Sequence, residues 1–346
     1  IEQVASELHY NDKNLIEKVI RALSLLEMLV KAGCPLVFKG GTALMLILGK
    51  SAHRLSIDID LICPPGTNIE DYLKSFADFG FINLELVERK QRDDADIPKS
   101  HSKFFYQIAY RNDTDAQSYI LLDVLYEDIH YFRTQQIAIN CPFIRLEGKP
   151  LMVTVPSAED ILGDKLTAFA PNTTGIPYYR NGRSCSMEIA KQLYDVGRLF
   201  ENVSDLQITK EAFRKIAVVE LSYRSFGTDI GQVFNDIRQT ALCISTRGKA
   251  GEGDFDLIQD GIIRVKSFMY KQRYLIDHAI IDAARAAYLA TLIEKGINEI
   301  ESYSNNPADI KDMVIRPSLP NKLNKLRSNL PEAYYYWAKT SELLEA

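Results

Sequence analysis

Two short stretches near the start of the chain decide the fold: FKGGTAL at positions 38–44 and RLSIDIDL at positions 54–61. Apolar and acidic residues alternate in the second stretch, a pattern typical of a strand with one buried and one polar face. Asp58 and Asp60 are two positions apart, so both project from the same face of that strand. Carboxylate oxygens with no softer ligand nearby favour Mg²⁺. We therefore predict a magnesium site on this strand.

The first stretch predicts a strand, a tight turn and a helix. A short apolar run leads into the Gly40-Gly41 pair, and an apolar segment continues from there to Leu48. Glycine allows the backbone to approach a ligand closely, and the amides at a helix N-terminus favour a bound phosphate. We expect this turn to hold a triphosphate. The candidate nucleotide-binding residues of the region are Lys39, Gly40, Gly41, Thr42, Arg54 and Ser56.

A third acid, Asp123, stands alone in the apolar run YILLDVL at positions 119–125. A buried carboxylate without a partner is unfavourable, so we expect Asp123 to meet a metal ion or a base. Together with Asp58 and Asp60 it would complete a site for two Mg²⁺ ions. In such a site one ion activates the attacking hydroxyl and the other holds the triphosphate. Asp123 is then the candidate general base.

The remaining periodicity predicts an α+β protein in which a mixed β-sheet flanked by helices is followed by a helical domain. An amphipathic helix is expected over residues 14–31, and another helix between residues 70 and 79. Strands are expected over residues 81–87, 104–110, 119–125 and 151–155. Helical periodicity dominates afterwards, over residues 188–200, 255–270 and 276–297. We place the domain boundary between 1–155 and 156–346.

The composition of the chain argues against several classes of protein. The 41 Lys and Arg against 46 Asp and Glu give a net charge of −5, which argues against a protein that coats nucleic acid through bulk positive charge. The five cysteines never form a CxxC pair, so neither a disulfide framework nor a structural zinc site is expected, and the cytoplasm is the predicted compartment. The longest apolar run, residues 43–48, is far shorter than the roughly 20 residues that cross a bilayer.

Two other features receive a structural interpretation. The segment 171–186 is rich in Gly, Pro, Thr and Asn and carries Arg180 and Arg183, which predicts a mobile loop. The five histidines are scattered and are assigned to surface or structural positions: His9, His53, His101, His130 and His278.

The ordered motifs resemble the DNA polymerase β-type nucleotidyltransferase superfamily. The similarity is to its AbiEii/AbiGii branch, the toxins of type IV abortive-infection systems. It rests on the glycine turn followed by Ala-Leu, on the Arg-x-Ser-x-Asp-x-Asp-Leu stretch and on the later strand Asp. It extends to DKLTA at 164–168 and KQLYD at 191–195, and covers about residues 30–200. Where the family often has a second Asp in the last motif, this chain has Gln192.

The resemblance implies a nucleotidyltransferase fold for residues 1–155 and a helical domain that completes the nucleotide site. Lys165 would hold a phosphate, and Asp195 would orient that phosphate or the lysine. The implied reaction transfers a nucleoside monophosphate from an NTP to a hydroxyl and releases pyrophosphate. It further implies a toxin with tRNA or another RNA as acceptor and a cognate antitoxin encoded nearby.

Two alternatives stay open at this point. The acceptor could be a small molecule such as an aminoglycoside-like antibiotic, which predicts an acidic, enclosed pocket. An RNA acceptor instead predicts a basic stripe that joins Arg180, Arg183 and Lys322 to the site. The chain could also be a nucleotide-binding regulator without catalysis, although such a protein would not need Asp58, Asp60, Asp123 and Lys165.

Overall fold

The computed structural model describes residues 1–87, 99–109, 116–224 and 229–346. The chain forms two compact units. The first unit contains Ile1–Ser157 and Phe268–Gln272, and the second contains Ala158–Ser267 and Arg273–Ala346. The sequence placed the division after residue 155 and did not foresee that residues 268–272 belong with the first unit.

The first unit contains a mixed five-stranded sheet in the order β1-β2-β5-β4-β3. The β2–β5 pair is parallel, and the other three pairs are antiparallel. This confirms the predicted α+β class with a mixed sheet. The strands are β1 (Val37–Lys39), β2 (Ile59–Cys63), β3 (Asn83–Val87), β4 (Lys99–Gln107) and β5 (Gln117–Tyr126). A separate antiparallel pair consists of β6 (Thr134–Ala138), which was not predicted, and β7 (Met152–Pro156).

Three helices accompany this sheet: α1 (Glu2–Leu8), α2 (Lys13–Lys31) and α3 (Gly40–Leu48). Helix α2 confirms the predicted amphipathic helix. Asp12 caps its N-terminus, where the Asp12 carboxylate accepts a hydrogen bond from the Leu15 amide at 2.9 Å. The apolar face of α2 joins the core of the unit, together with residues of all the inner strands.

Two details of the first unit differ from the prediction. The helix expected between residues 70 and 79 is replaced by two 3₁₀ turns, Ile69–Tyr72 and Phe76–Phe79. The two turns do not join into one helix because Ser75, with φ of −97° and ψ of 16°, leaves the helical region just before the second turn, which itself ends at Gly80 with a left-handed φ of 80°. The strand predicted from Phe104 begins earlier, at Lys99, and the predicted end of that strand at residue 110 lies outside the described residues.

The second unit is mostly helical, as predicted. Its helices are α4 (Ala158–Ala168), α5 (Ser186–Phe200), α6 (Gln207–Tyr223), α7 (Ile230–Ser245), α8 (Phe255–Val265), α9 (Ile276–Lys295), α10 (Leu326–Asn329) and α11 (Pro331–Glu345). Alanine-rich α9 is buried on nearly every side and packs against α5, α7 and α11, because its small side chains allow the neighbouring helices to approach closely. Helix α8 ends at Val265, short of the predicted residue 270.

The segment 171–186, predicted as a mobile loop, contains a short hairpin of β8 (Tyr179–Arg180) and β9 (Arg183–Ser184). Asn181 and Gly182 form its turn with φ of 52° and 73°, the left-handed values that a two-residue hairpin turn of the I′ type requires. In the parts of the chain that the structure describes, no helix is both long and apolar enough to cross a bilayer.

Candidate active site

Four side chains with acid–base or charge properties occupy one row across the central sheet. The strand registers pair Lys39 with Asp60, Asp60 with Asp123, and Asp123 with His101. Residues directly opposite each other on neighbouring strands project from the same face of a sheet. The row therefore presents a cation, two carboxylates and an imidazole on one face, in the order of β1, β2, β5 and β4.

The Asp60–Asp123 pair is the central feature of this row. Two like charges directly opposite on adjacent strands repel each other, and a cation beside them offsets the repulsion; Lys39 next to Asp60 is one such cation, and a bound divalent ion would be another. The Asp123 side chain is 39% exposed and is therefore open to a ligand. This register relationship brings together two acids that are far apart in the sequence, as the magnesium hypothesis requires.

Asp60 and Asp123 fit one mode of binding a divalent metal ion. Within the described ranges, no group of three or more His, Cys, Asp or Glu side chains is arranged to hold a metal by itself. Mg²⁺, however, usually keeps several water molecules and is bound by one or two carboxylates together with substrate phosphates. The paired oxygen ligands of Asp60 and Asp123 fit that mode of binding.

The remaining predicted acid, Asp58, lies immediately before β2 rather than within it. Its backbone carbonyl accepts a hydrogen bond from the Thr42 hydroxyl at 2.7 Å, and Thr42 is fully buried in the first turn of α3. This bond fixes the start of α3 against the start of β2. The glycine turn and the Asp-x-Asp motif are therefore held together by a direct contact.

Gly40 lies directly against the carboxylate of Asp60. A Cβ atom on residue 40 would be 2.0 Å from Oδ2 of Asp60, and the φ of Gly40 is +80°. Both the close approach and the backbone conformation therefore require glycine. The absence of a side chain leaves the backbone of the turn next to the acid, so the turn predicted to bind phosphate and the acid predicted to bind metal are in contact.

Gly41 makes a second close approach, to Arg54 and Ser56. A Cβ atom on residue 41 would lie 2.8 Å from Oγ of Ser56 and 2.9 Å from Nη2 of Arg54. Arg54 is buried, and its Nη1 donates to the Leu55 carbonyl at 3.1 Å, which fixes the guanidinium near the turn. The polar groups of Arg54 and Ser56 therefore lie beside Gly41, in the first turn of α3.

The remaining predicted residues, Lys165 and Asp195, are on α4 and α5 of the second unit. Lys165 Nζ lies 3.0 Å from Asp195 Oδ2, and the two side chains are only 8% and 2% exposed. A buried lysine is strongly unfavourable unless it is paired, and here the carboxylate supplies the pairing. The structure thus brings together the two residues for which the resemblance implied a joint role.

His101 lies beside the candidate site, a position that sequence reasoning did not predict. Its Nδ1 forms a short hydrogen bond with Oδ1 of Asp123. The scattered distribution of histidines had suggested only surface or structural roles, and the polar stretch KSHSK at 99–103 carries no strand pattern. The pairing of β4 with β5 places His101 beside Asp123. This long-range relationship cannot be predicted from a local sequence pattern.

Comparison with known proteins gives one strong match. The family described as "Nucleotidyl transferase AbiEii toxin, Type IV TA system" matches residues 23–310. No curated protein matches the chain significantly.

Among solved structures, JHP933 from Helicobacter pylori is 16% identical, with a TM-score of 0.42 over 86% of this chain and 94% of that one. MenT4, a nucleotidyltransferase toxin from Mycobacterium tuberculosis, is 13% identical, with a TM-score of 0.44 over 99% and 98% of the two chains.

The family match extends from α2 to the 3₁₀ turn Pro307–Ile310 and so includes every predicted site residue. The description of the matched family names a nucleotidyltransferase, which is the activity that the sequence motifs predict. This chain therefore belongs to the AbiEii nucleotidyltransferase toxin family.

Proposed function

We propose that the protein transfers a nucleoside monophosphate from an NTP to a hydroxyl group of an RNA acceptor, in a reaction that depends on Mg²⁺. The observation that carries this proposal is the register pairing of Asp60 with Asp123 beside the Gly40-Gly41 turn. A carboxylate pair next to exposed backbone amides suits a substrate that brings its own phosphates to a metal ion.

The roles of the residues follow from their chemistry. Asp58, Asp60 and Asp123 would hold the divalent ions, for which two sites are expected; when bound, the ions neutralise phosphate charge and lower the pKa of the attacking hydroxyl. The amides at the start of α3, that of Thr42 among them, bind the triphosphate, assisted by the side chains of Lys39, Arg54 and Ser56, while the buried Thr42 hydroxyl holds the turn against Asp58. Lys165 binds a phosphate, and Asp195 orients the lysine ammonium group.

The chemical step is an in-line displacement at the α-phosphorus. Asp123 accepts the proton of the acceptor hydroxyl, whose oxygen forms a bond to the α-phosphorus. The bond from that phosphorus to the bridging oxygen breaks, and pyrophosphate leaves with the electron pair. Catalysis of this kind depends on positioning and on charge stabilisation rather than on a covalent enzyme intermediate.

The β8–β9 hairpin favours RNA over a small-molecule acceptor. Arg180 and Arg183 are direct cross-strand partners, and like charges in that position destabilise a hairpin. Tyr179 beside them is 56% exposed. Cationic groups that contact phosphates and an exposed aromatic ring that stacks on a base are the two elements of single-strand binding. A polyanion at this hairpin would remove the repulsion between the two arginines.

A labelling experiment tests the proposal. The purified protein is incubated with each radiolabelled NTP and Mg²⁺, with either total RNA or an aminoglycoside mixture as acceptor. We expect label in RNA, and transfer should be lost in Asp60→Asn. Label in the aminoglycoside alone would favour the small-molecule alternative, whereas NTP binding without label in any acceptor would favour the regulator.

The hairpin has its own test within the same assay. The double substitution Arg180→Ala/Arg183→Ala should raise the KM for RNA and reduce the salt dependence of RNA binding, because phosphate contacts are lost. The matched control, Arg214→Ala/Lys215→Ala, removes two exposed cations from α6 and should leave both unchanged. Equal effects of the two double variants would show that only the net charge matters.

We further propose that the protein acts as the toxin of a type IV toxin–antitoxin pair in the cytoplasm, with an antitoxin encoded by a neighbouring gene. The family match supports this assignment. Expression of the protein alone should arrest growth, and co-expression of the neighbouring gene should relieve the arrest. Relief that also occurs with an unrelated gene would contradict the pairing.

A further inference from the structure

We propose that His101 is a positioning residue that orients Asp123 for metal binding and proton transfer. The inference rests on the proposed function of Asp123 and adds a residue to which nothing in the family motif assigns a role. Two observations support it. One ring nitrogen of His101 contacts Asp123, and the other is buried with no hydrogen-bond partner among the described residues.

The contact is specific in geometry. His101 and Asp123 are register partners on β4 and β5, and Nδ1 of His101 meets Oδ1 of Asp123. A carboxylate accepts hydrogen bonds and donates none, so Nδ1 carries the proton. The bond engages Oδ1 of a carboxylate whose side chain is 39% exposed. Because Asp60 is the partner of Asp123 on the opposite side, His101 restrains Asp123 from the side away from the second carboxylate.

The other ring nitrogen of His101 lies in an unfavourable environment. The His101 side chain is only 10% exposed, and its Nε2 is buried with no hydrogen-bond partner among the residues that the structure describes. Buried polar atoms without partners are rare and call for an explanation. A phenylalanine would fill a similar space without an unsatisfied nitrogen. The hydrogen bond to Asp123 is therefore the feature that favours histidine at this position.

Residues that orient a metal ligand without touching the metal have measurable effects. Their substitution typically reduces metal affinity or activity by about 10–100-fold, because the ligand then samples unproductive rotamers. For Asp123 the loss of orientation would affect both the metal site and the proton-accepting oxygen. The expected signature is a fall in kcat at saturating NTP, with little change in the KM for NTP.

Two substitutions separate positioning from packing. His101→Phe keeps a ring of similar size and removes the donor. His101→Asn is smaller but keeps an N–H donor close to the position of Nδ1. We would measure kcat, the KM for NTP, and the thermal midpoint of unfolding for both variants. Mn²⁺ binding to the protein, followed by electron paramagnetic resonance without NTP turnover, supplies a readout independent of activity.

If His101 positions Asp123, His101→Phe should lower kcat and Mn²⁺ affinity by about 10–100-fold, and His101→Asn should recover most of both. If His101 serves only packing, the order reverses: His101→Phe keeps activity and His101→Asn is the weaker variant, which would overturn the inference. If His101→Phe fails to fold, His101→Asn is compared with His101→Ala. Higher kcat and Mn²⁺ affinity in His101→Asn support positioning, and equal values in the two variants overturn it. Wild-type protein without transfer activity would instead defeat the proposed function.

Discussion

Gly40 and the carboxylate of Asp60 are packed so closely that a Cβ atom on residue 40 would lie 2.0 Å from Oδ2 of Asp60. This contact links the two motifs on which the assignment depends. The turn that is expected to bind the triphosphate therefore lies directly against the acid that is expected to bind the metal ion. A substitution of Gly40, compared with the same substitution at a glycine of similar φ, separates the effect on activity from the effect on the backbone.

Gly40→Ala should abolish transfer. The new methyl group would displace the Asp60 carboxylate, and alanine at φ +80° adds strain of roughly 1–2 kcal/mol. The matched control is Gly66→Ala, since Gly66 has φ +84° with open space around its Cβ position. Both variants should lose a few degrees of thermal midpoint, but only Gly40→Ala should lose activity in a transfer assay. Similar activity in the two variants would contradict the role of the Gly40–Asp60 contact.

The buried Lys165–Asp195 pair predicts strong coupling between the two side chains. Removal of one partner leaves a buried charge unpaired, which typically destabilises a protein by about 3–5 kcal/mol. Lys165→Met and Asp195→Asn should each lower the free energy of unfolding, and the double variant should be more stable than the sum of the two effects predicts. NTP affinity, measured by calorimetry, should stay low in the double variant because the ammonium group is gone.

Additive stability effects would show that the 3.0 Å contact contributes nothing. Restored NTP affinity in the double variant would remove Lys165 from the nucleotide site.

Asp282 on α9 should make the stability of the protein depend on pH. Burial raises the pKa of its carboxyl to about 6, although Arg198 and Arg285, at 3.7 and 3.4 Å, oppose the shift. An acid with a raised pKa holds its proton in the folded state between about pH 4 and 6, so its contribution to stability falls as the pH rises through that window.

The stability of wild type relative to Asp282→Asn should therefore decrease by on the order of 1–3 kcal/mol from pH 4 to pH 7. Urea unfolding of both proteins at several pH values measures this difference, and the comparison cancels the other titrating groups. A difference that grows in the opposite direction would mean that the two arginines outweigh burial.

The local parts of the site were predictable from sequence. The Asp-x-Asp alternation and the Gly-Gly turn that precedes α3 are short-range patterns, and they correctly predicted a strand and a helix start. Even so, Asp58 lies just outside β2, because strand ends are set by pairing with neighbours rather than by alternation alone. The family resemblance added Lys165 and Asp195, whose contact across two helices no local pattern contains.

The parts that were missed depend on long-range pairing or on very short elements. His101 reaches Asp123 only because β4 pairs with β5, and the polar residues around it hide the start of that strand. The β8–β9 hairpin has strands of only two residues each, which is too short for an alternation pattern. Its Asn181-Gly182 turn is nevertheless a strong hairpin signal, and greater weight on that dipeptide would have predicted it.

Transfer is expected to depend on a divalent ion that Asp60 and Asp123 hold jointly. The most direct measurement is the rate of transfer at increasing Mg²⁺ concentration in wild type, Asp60→Asn and Asp123→Asn, with thermal midpoints as a control for folding. We predict that wild type requires Mg²⁺, and that each variant loses transfer by a factor of at least about 100 while its midpoint is kept or raised, since the like-charge repulsion is relieved. Wild-type rates in either variant, or transfer that persists in excess chelator, would contradict the central claim.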